Sequence, residues 1–252
     1  MPDRKYSAPA LEKGLDILEL LAARKRPLTI SQMSTEMDRS VSELFRMVQV
    51  LEDRGYVSGG ARGEGFELTN KLFSLGMSRG PSHNLLTTAL PLMQKLSTET
   101  QQSCHLVIAS ESQMVVIARI EAPGDLGFSV RVGYQRPLVH STSGIVLYAH
   151  QPDEAKADWH ARLSAGEPPE VWSAFEAKAK LALEQGYAQS HSEFVEAITD
   201  VSCPVFSDAG VIAALTMPHL TSRDSASLSS CIAALKETVR DLSTELGGQH
   251  GV

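Results

Sequence analysis

The chain has 252 residues, of which 42% are hydrophobic and 21% are charged, so it can bury a substantial core. Neither a disordered nor a collagen-like protein has this composition. The longest apolar runs, such as residues 211–215, are far shorter than the roughly 20 residues that a membrane helix needs. The first residues lead into no export-type apolar segment, and three widely spaced cysteines do not suggest a disulfide framework. We therefore expect a soluble, cytoplasmic protein.

Charge is distributed unevenly along the chain. Residues 1–80 contain 12 Lys and Arg and 11 Asp and Glu, a net charge of +1, whereas residues 81–252 contain 11 and 19, a net charge of −8. A nearly neutral first third joined to an acidic remainder indicates two units with different partners. The acidic remainder would turn the first unit toward a polyanion such as nucleic acid.

The first third of the chain predicts three helices. The first has leucines at three- and four-residue steps. Thr29 followed by Gln32 has the form of a capping box, and Ser40 followed by Glu43 repeats that form at the start of a third helix, which Gly55 ends. Two capped helices separated by about three residues predict a helix-turn-helix.

A hairpin and a linker are expected after the third helix. Two short segments of alternating pattern, 56–58 and 66–69, flank a glycine-rich stretch that suits a hairpin tip. Together with the three helices they predict a winged helix-turn-helix domain over residues 1–69. Residues 70–81 predict a linker helix, which Gly80-Pro81 ends.

Residues 82–252 predict an α+β domain, because strands grouped in hairpins lie between helices at both ends. We expect strands at 104–109, 114–121, 128–132, 187–191, 201–206 and 211–217, and helices at 85–100, 143–150, 172–185 and 228–246.

One motif typical of enzymes is present. Residues 76–80 match the G-x-S-x-G pattern of hydrolases, with Ser78 as the nucleophile. That motif requires a preceding strand, whereas the residues before Ser78 are helical and Pro81 follows, so a helix end is the favoured interpretation. No phosphate-binding glycine loop and no Cys/His pair at zinc-like spacing occurs. We expect no catalytic residue, no metal and no cofactor, and a hydrolase remains the alternative.

The start of the third helix carries the residues that would face DNA. In helix-turn-helix proteins this turn enters the major groove. Arg46 lies on the face opposite an apolar stripe and can bond guanine O6 and N7. The expected DNA contacts are Ser31, Arg39, Ser40, Ser42, Glu43, Arg46 and Arg62.

Three of these residues have alternative interpretations. Arg46 can be a solvated charge paired with Glu43. Glu43 is better explained as the N3 partner of Ser40 than as an acceptor for a cytosine amino group. Arg62 at the hairpin tip can contact a phosphate or the minor groove, or can serve only to solvate the tip.

Six segments, read in order, carry a resemblance to a known family: ALEKGLDIL (10–18), FRMVQVLEDRGYV (45–57), GYQRPLVHSTSG (133–144), GYA (186–188), CPVFSD (203–208) and AALTM (213–217). Over nearly its whole length the chain resembles the IclR family of bacterial transcription regulators. The resemblance implies an α+β protein with an N-terminal winged helix-turn-helix domain, a linker helix and a C-terminal GAF-like effector-binding domain.

The resemblance also implies function. A repressor of this kind binds double-stranded operator DNA as a homodimer or homotetramer and senses a small organic acid or an aromatic metabolite. Glu43 stands where members commonly have Thr, which leaves open a ligand-sensing adaptor that has lost DNA binding. Departures also occur at 145–146 and at Pro218, so the ligand chemistry of other members does not transfer. The implied effector-binding residues are Ser143, Gly144, Ser190, Asp200 and Thr216.

Overall fold

The computed structural model describes residues 8–24, 26–59, 65–77, 80–124, 127–192, 195–221 and 226–248. The chain forms two compact units, residues 1–83 and residues 84–252, which are called unit 1 and unit 2 below. Within the described ranges, no helix is both long enough and apolar enough to cross a lipid bilayer.

Unit 1 contains, within its described residues, four helices and a two-stranded antiparallel sheet. Their bounds are α1 Pro9–Arg24, α2 Ile30–Met37, α3 Val41–Asp53, β1 Val57–Gly59, β2 Phe66–Leu68 and α4 Lys71–Met77. The first three helices and β1 enclose a small core that includes Ile17, Leu21, Met33, Leu44 and Val48. This arrangement confirms the predicted helix-turn-helix followed by a hairpin. The hairpin tip, residues 60–64, lies outside the described residues, and Arg62 with it.

Side-chain caps fix where α2 and α3 begin. Thr29 forms the predicted capping box with Gln32 at the start of α2. At the start of α3, the Ser40 side chain accepts a hydrogen bond from the Glu43 amide at 3.3 Å. The reciprocal half of this second box is absent, because the Glu43 carboxylate pairs with Lys13 of α1 instead. The interpretation of Glu43 as the N3 partner of Ser40 is therefore wrong for its side chain.

Unit 2 contains a six-stranded antiparallel sheet and five helices in the described ranges, which confirms the α+β fold class. The sheet order is β5-β4-β3-β8-β7-β6. The strands are β3 Cys104–Ser110, β4 Gln113–Ile120, β5 Gln135–Pro137, β6 Ala188–His191, β7 Ile198–Ser207 and β8 Gly210–Leu220. The helices are α5 Gly80–Thr100, which starts before the boundary of the unit, α6 Thr142–Ala149, α7 Asp153–Leu163, α8 Pro169–Gln185 and α9 Leu228–Glu245.

Two predictions about these elements are wrong, and one helix was not predicted. The strand expected at 128–132 is an irregular segment, and β5 forms after it, beyond a turn at Val132-Gly133. Val132 is 56% exposed, so the alternation of Phe128, Val130 and Val132 does not mark a face that packs in the sheet. Helix α7 was not predicted. Helix α5 begins at Gly80 rather than at residue 85, so Gly80-Pro81 starts a helix instead of ending one.

The sheet of unit 2 is covered on both faces. Alternate residues of β8 point to opposite sides: Leu215 packs in a core with α5 and α9, and Ala214 packs in a core with α6 and α8. Every residue of α6 is buried. Cys104 and His105 also point to opposite faces, as their adjacency on one strand predicts. The Cys104 side belongs to the α5–α9 core, whereas His105 lies on the α6–α8 side.

Three prolines lie in the sheet where a strand lacks a neighbour on one side. Pro204 of β7 is beyond the last residue that pairs with β6. Pro218 of β8 is beyond the last residue that pairs with β3. Pro137 ends β5, which is an outer strand. Since proline has no N–H to donate, it fits a strand where no ladder bond is needed.

Candidate functional site

The turn between α2 and α3 presents the N-terminal end of α3 to solvent. Asp38 adopts a left-handed conformation with φ of 51°, and the Arg39 amide returns to the Ser34 carbonyl at 3.2 Å. Leu44 and Val48 anchor α3 in the core. Of the residues predicted to contact DNA, the exposed ones are Ser31, Arg39, Ser40, Ser42 and Arg46. Ser42 and Arg46 share the exposed half of α3.

Glu43 is held by an ion pair. Its carboxylate contacts the Lys13 ammonium of α1, and both side chains are about three-quarters buried. The hydrogen bond from Lys13 lowers the pKa of Glu43, and the charges of Arg39 and Arg46 act in the same direction. A carboxylate at the N-terminal end of α3 therefore stays ionised, and its charge is compensated from within unit 1.

Two residues that the sequence reasoning missed also lie on the exposed half of α3. Val41 is 48% exposed and Phe45 is 53% exposed, one helical turn apart. Their apolar side chains have no place in the core of unit 1. A signal was available in the sequence, because both residues fall outside the 44/47/48/51 apolar stripe of this helix.

The principal cavity of unit 2 has a volume of about 660 Å³. It lies over one face of the sheet, and its other walls are the irregular segment 128–131, the segment 139–143 at the start of α6, and α8. This volume is in the range of cavities that bind small molecules. Its polar lining residues are His105, Ser129, Arg131, Tyr134, Arg136, His140, Ser141, Thr142, Ser143, Lys178, Ser190, His191, Ser192 and Asp200.

Three of the five predicted effector-binding residues line this cavity, and two do not. Ser143, Ser190 and Asp200 line the cavity, whereas Gly144 and Thr216 do not. The Gly144 amide donates to the Ser141 hydroxyl at 3.0 Å, so it is already used as a helix cap. The Thr216 hydroxyl bonds to the Ser202 hydroxyl at 2.8 Å and is buried between strands. The expectation that Gly144 and Thr216 contact the ligand is therefore not supported by this geometry.

Gly144 has a structural reason to be glycine. A Cβ atom at this position would overlap the carbonyl of Leu138, in the 3-10 turn Leu138–His140 that precedes α6. The close approach of that turn orients the start of α6. The amides of Thr142 and Ser143 are the first two of α6 and have no partner within the helix. The described residues supply no other acceptor for them.

Asp200 is the one acidic side chain among the described residues that line the cavity. Burial raises the pKa of Asp200 to about 6, and the positive charge of Arg136 opposes that rise. Ser190 lies directly opposite Asp200 on β6. Near neutral pH this carboxyl therefore changes its protonation state easily and can either donate or accept a hydrogen bond.

His105 is a cavity residue that the sequence reasoning missed. It is 5% exposed, and burial lowers the pKa of His105 to about 4, so the ring is neutral. Its Nδ1 and the Oγ of Ser190 are buried and have no hydrogen-bond partner in the described part of the chain. No sequence signal singled out this histidine, because its position over the cavity depends on pairing with Thr216 of β8.

The structure describes only part of the G-x-S-x-G motif. Ser78 of the G-x-S-x-G motif lies outside the described residues. Among the residues that are described, no three His, Cys, Asp or Glu side chains are grouped so that they could hold a metal ion.

Comparison with known proteins identifies relatives of both units. Residues 80–244 match the family model described as the bacterial transcriptional regulator IclR C-terminal, and residues 10–59 match the IclR helix-turn-helix domain. The chain is 29% identical over 247 residues to the HTH-type transcriptional regulator KdgR of Escherichia coli K12, which covers 96% of this chain and 94% of KdgR. It is 25% identical over 252 residues to the HTH-type transcriptional repressor AllR of Klebsiella pneumoniae, with coverages of 98% and 93%.

Solved structures share the fold. An IclR homolog from Microbacterium hydrocarbonoxydans, solved with 4-hydroxybenzoate, has a TM-score of 0.78 at 20% identity and covers 94% of this chain and 98% of its own. An IclR regulator from Alicyclobacillus acidocaldarius has a TM-score of 0.74 at 24% identity, with coverages of 96% and 100%. Because the two family models together match most of the sequence, the chain belongs to the IclR family of bacterial transcriptional regulators.

Proposed function

We propose that this regulator represses transcription by binding operator DNA through α3 and releases or strengthens that binding when a small metabolite occupies the cavity of unit 2. The observation that carries the proposal is the presence, in one chain, of an exposed helix start bearing Arg46 and of a cavity in which His105 Nδ1 and Ser190 Oγ have no hydrogen-bond partner among the described residues. Two relatives support its parts: AllR is named a repressor, and the Microbacterium homolog was solved with 4-hydroxybenzoate.

The proposal includes a domain division. Residues 1–69 form the DNA-binding domain, residues 70–81 the linker, and residues 82–252 a GAF-like effector domain in the cytoplasm. It assigns the chain no catalytic step.

We further propose that the chain acts as a homodimer or homotetramer. Leu11 and Leu15 on α1 are 63% and 49% exposed, and Phe73 on α4 is 67% exposed. Large apolar side chains that leave the core in this way supply surface for a second copy. A two-fold dimer presents two copies of α3, so the operator should be a palindrome or close to one.

The test uses the full-length protein and duplexes selected from a random pool. Arg46→Ala should lower the affinity for the selected operator by about 1–3 kcal/mol and relax the preference at one position in each half-site. Arg62→Ala should weaken binding to all sequences alike and reduce the salt dependence. Arg54→Ala, an exposed arginine just after the other end of α3, is the matched control.

Three outcomes would contradict the proposal. Selection that enriches no sequence would favour an adaptor without DNA binding. An Arg46→Ala variant that behaves like Arg62→Ala in a salt titration would remove Arg46 as a base-reading residue. Turnover of ester substrates that is lost in Ser78→Ala would favour the hydrolase alternative.

A further inference from the structure

Helix α3 leaves two large apolar side chains exposed near its beginning. Val41 and Phe45 are each about half exposed, whereas Leu44 and Val48 of the same helix are buried. Four residues separate Val41 from Phe45, so the two side chains lie one above the other, one helical turn apart. We call these two residues the apolar pair. A helix that already buries a stripe on one side needs no apolar residue on its other side, so the core of unit 1 does not account for the pair.

Polar and positively charged residues lie beside the apolar pair. Ser42 and Arg46 each follow one of its members, and both are exposed. Arg39, which precedes the cap of α3, is exposed as well. The negative charge of Glu43 is compensated by its ion pair with Lys13 of α1. The exposed surface at the beginning of α3 therefore combines an apolar pair with a serine and two arginines.

The stripe of α3 that contains the apolar pair becomes polar at its next residue, Gln49. The side-chain amide of Gln49 donates hydrogen bonds to the carboxylates of Glu52 and Asp53 at 3.3 and 3.2 Å. The apolar pair is therefore confined to the first two turns of the helix. In a helix-turn-helix, the residues of these turns are the ones that contact base edges in the major groove.

Charge distinguishes DNA from a second copy of the chain as the partner of this surface. At a two-fold interface the same surface meets itself, so Arg39 and Arg46 of one copy would approach the same arginines of the other. Like charges that face each other across an interface are costly. DNA instead brings phosphates to the arginines, because the duplex carries one negative charge per about 1.7 Å of its axis. The surface therefore fits DNA better than another copy.

The apolar pair matches one chemical group in the major groove. Thymine is the base that presents a methyl group there, on C5, and apolar side chains read this group by contact. The other groups that distinguish the bases in this groove are hydrogen-bond donors and acceptors, for which valine and phenylalanine side chains offer no partner. Covering such a group with an apolar side chain removes it from water without a replacement hydrogen bond, which is unfavourable.

Resting on the DNA binding by α3 that is proposed above, we infer that Phe45, with Val41 beside it, contacts the methyl group of a thymine in the operator half-site. Arg46 is the next residue of α3, so its Cα atom lies about 3.8 Å from that of Phe45. Phosphates, and with them the base pairs, follow one another at about 3.4 Å along each strand, so the two side chains reach neighbouring base pairs. The half-site therefore has a thymine beside the guanine that Arg46 is expected to contact.

Changes to single bases of the operator selected from a random pool test this contact. Deoxyuridine in place of that thymine removes only the methyl group and should weaken the binding of wild-type protein about fourfold, the factor for one buried methylene or methyl group. At the same position, 5-methyldeoxycytidine should bind about fourfold more tightly than deoxycytidine, because these two bases differ only in a methyl group on C5. Deoxyuridine at thymines outside the half-sites is the control and should have no effect.

Variants of the protein assign the methyl effect to a side chain. Phe45→Ala should bind the thymine and uracil operators equally, whereas Phe45→Leu, which keeps an apolar side chain, should still prefer thymine. Val50→Ala is the matched control, because Val50 is also about half exposed on α3 but lies nearer its end, and it should keep the full difference. The comparison of operators with wild-type protein requires no variant, so it stands even where a variant does not fold.

The outcomes separate this inference from the proposed function. Selection that enriches no operator would overturn both. A selected half-site without thymine, or one that wild-type protein binds equally with thymine and uracil at every position, would overturn only the contact by Phe45. A methyl effect that Phe45→Ala retains would overturn it as well. A methyl effect that is lost in Phe45→Ala and kept in Val50→Ala would support it.

Discussion

Replacing Asp200 by Asn should stabilise unit 2 at high pH and have much less effect at low pH. Burial raises the pKa of Asp200 from 3.8 to about 6 in the folded protein. The folded state therefore holds the proton more tightly than the unfolded state, so the stability provided by the protonated carboxyl is full below about pH 4 and is lost as pH rises through about 6. A shift of about two units at 1.36 kcal/mol each corresponds to about 3 kcal/mol above pH 7.

The test depends on how the difference in the free energy of unfolding between Asp200→Asn and wild type changes with pH. By the same relation about 1 kcal/mol of this loss is already present at pH 4.5, so the Asn variant should gain about 2 kcal/mol relative to wild type between pH 4.5 and pH 8. His105 acts in the opposite direction, because its pKa is lowered to about 4 and the folded protein loses stability as pH falls below its ordinary value of 6.5. Both proteins keep His105, so this contribution cancels in the difference.

Urea unfolding followed by tryptophan fluorescence measures the free energy of unfolding of unit 2. Both tryptophans, Trp159 and Trp172, belong to unit 2, and Trp172 packs 5.3 Å from Phe175 at the cavity wall. Asp208→Asn, in the exposed turn between β7 and β8, is the control and should show no such change. If Asp200→Asn shifts the free energy of unfolding equally at pH 4.5 and pH 8, the carboxyl is not destabilised by burial.

Three further predictions follow from the site geometry. A small carboxylate that occupies the cavity should bind more tightly as pH falls from 8 to 6, by about fivefold if its charge raises the Asp200 pKa from about 6 to about 7. Calorimetry at the two pH values checks this, with Asp200→Asn as the pH-independent control. Lys13→Met should weaken DNA binding, because it leaves the negative charge of Glu43 uncompensated beside the DNA phosphates. Adding Glu43→Gln to the same chain should restore binding. A double variant that binds as weakly as Lys13→Met alone would contradict this role of the ion pair. Gly144→Ala should lower the melting temperature by several degrees, since its Cβ would overlap the Leu138 carbonyl, whereas Gly166→Ser, at a glycine with open space around it, should cost only its backbone strain.

The secondary structure of unit 1 could be predicted from the sequence, because it depends on local patterns. The caps at Thr29 and Ser40 and the helix end at Gly55 each depend on residues within one or two turns, and the structure has all three. The error at Glu43 is of another kind. Its side chain had a local partner available at Ser40, but Lys13 from α1 provides an opposite charge that no local pattern reveals.

The residues that line the cavity were harder to predict, because segments that are distant in the sequence form its walls. Ser143 and Asp200 followed from the family resemblance, and both line it. His105 could not be found, because its environment depends on which strand lies beside β3. The segment from Phe128 to Arg131 alternates like a strand, yet its side chains cover the cavity instead of joining the sheet. Thr216 lies on the cavity side of β8, but its hydroxyl is hydrogen-bonded to the Ser202 hydroxyl, and Thr216 does not line the cavity.

The prolines of the sheet have a consequence for how copies of this chain meet. Unpaired strand edges are templates on which another chain can add a strand, and proteins avoid this with short outer strands and with prolines. Here β5 and β6 have three and four residues, Pro137 ends the first, and Pro204 and Pro218 lie where the longer strands extend past their neighbours. Backbone pairing between sheets is therefore disfavoured during folding and at high concentration. Reversible association through side-chain surfaces can then proceed without the competing route to cross-strand aggregates.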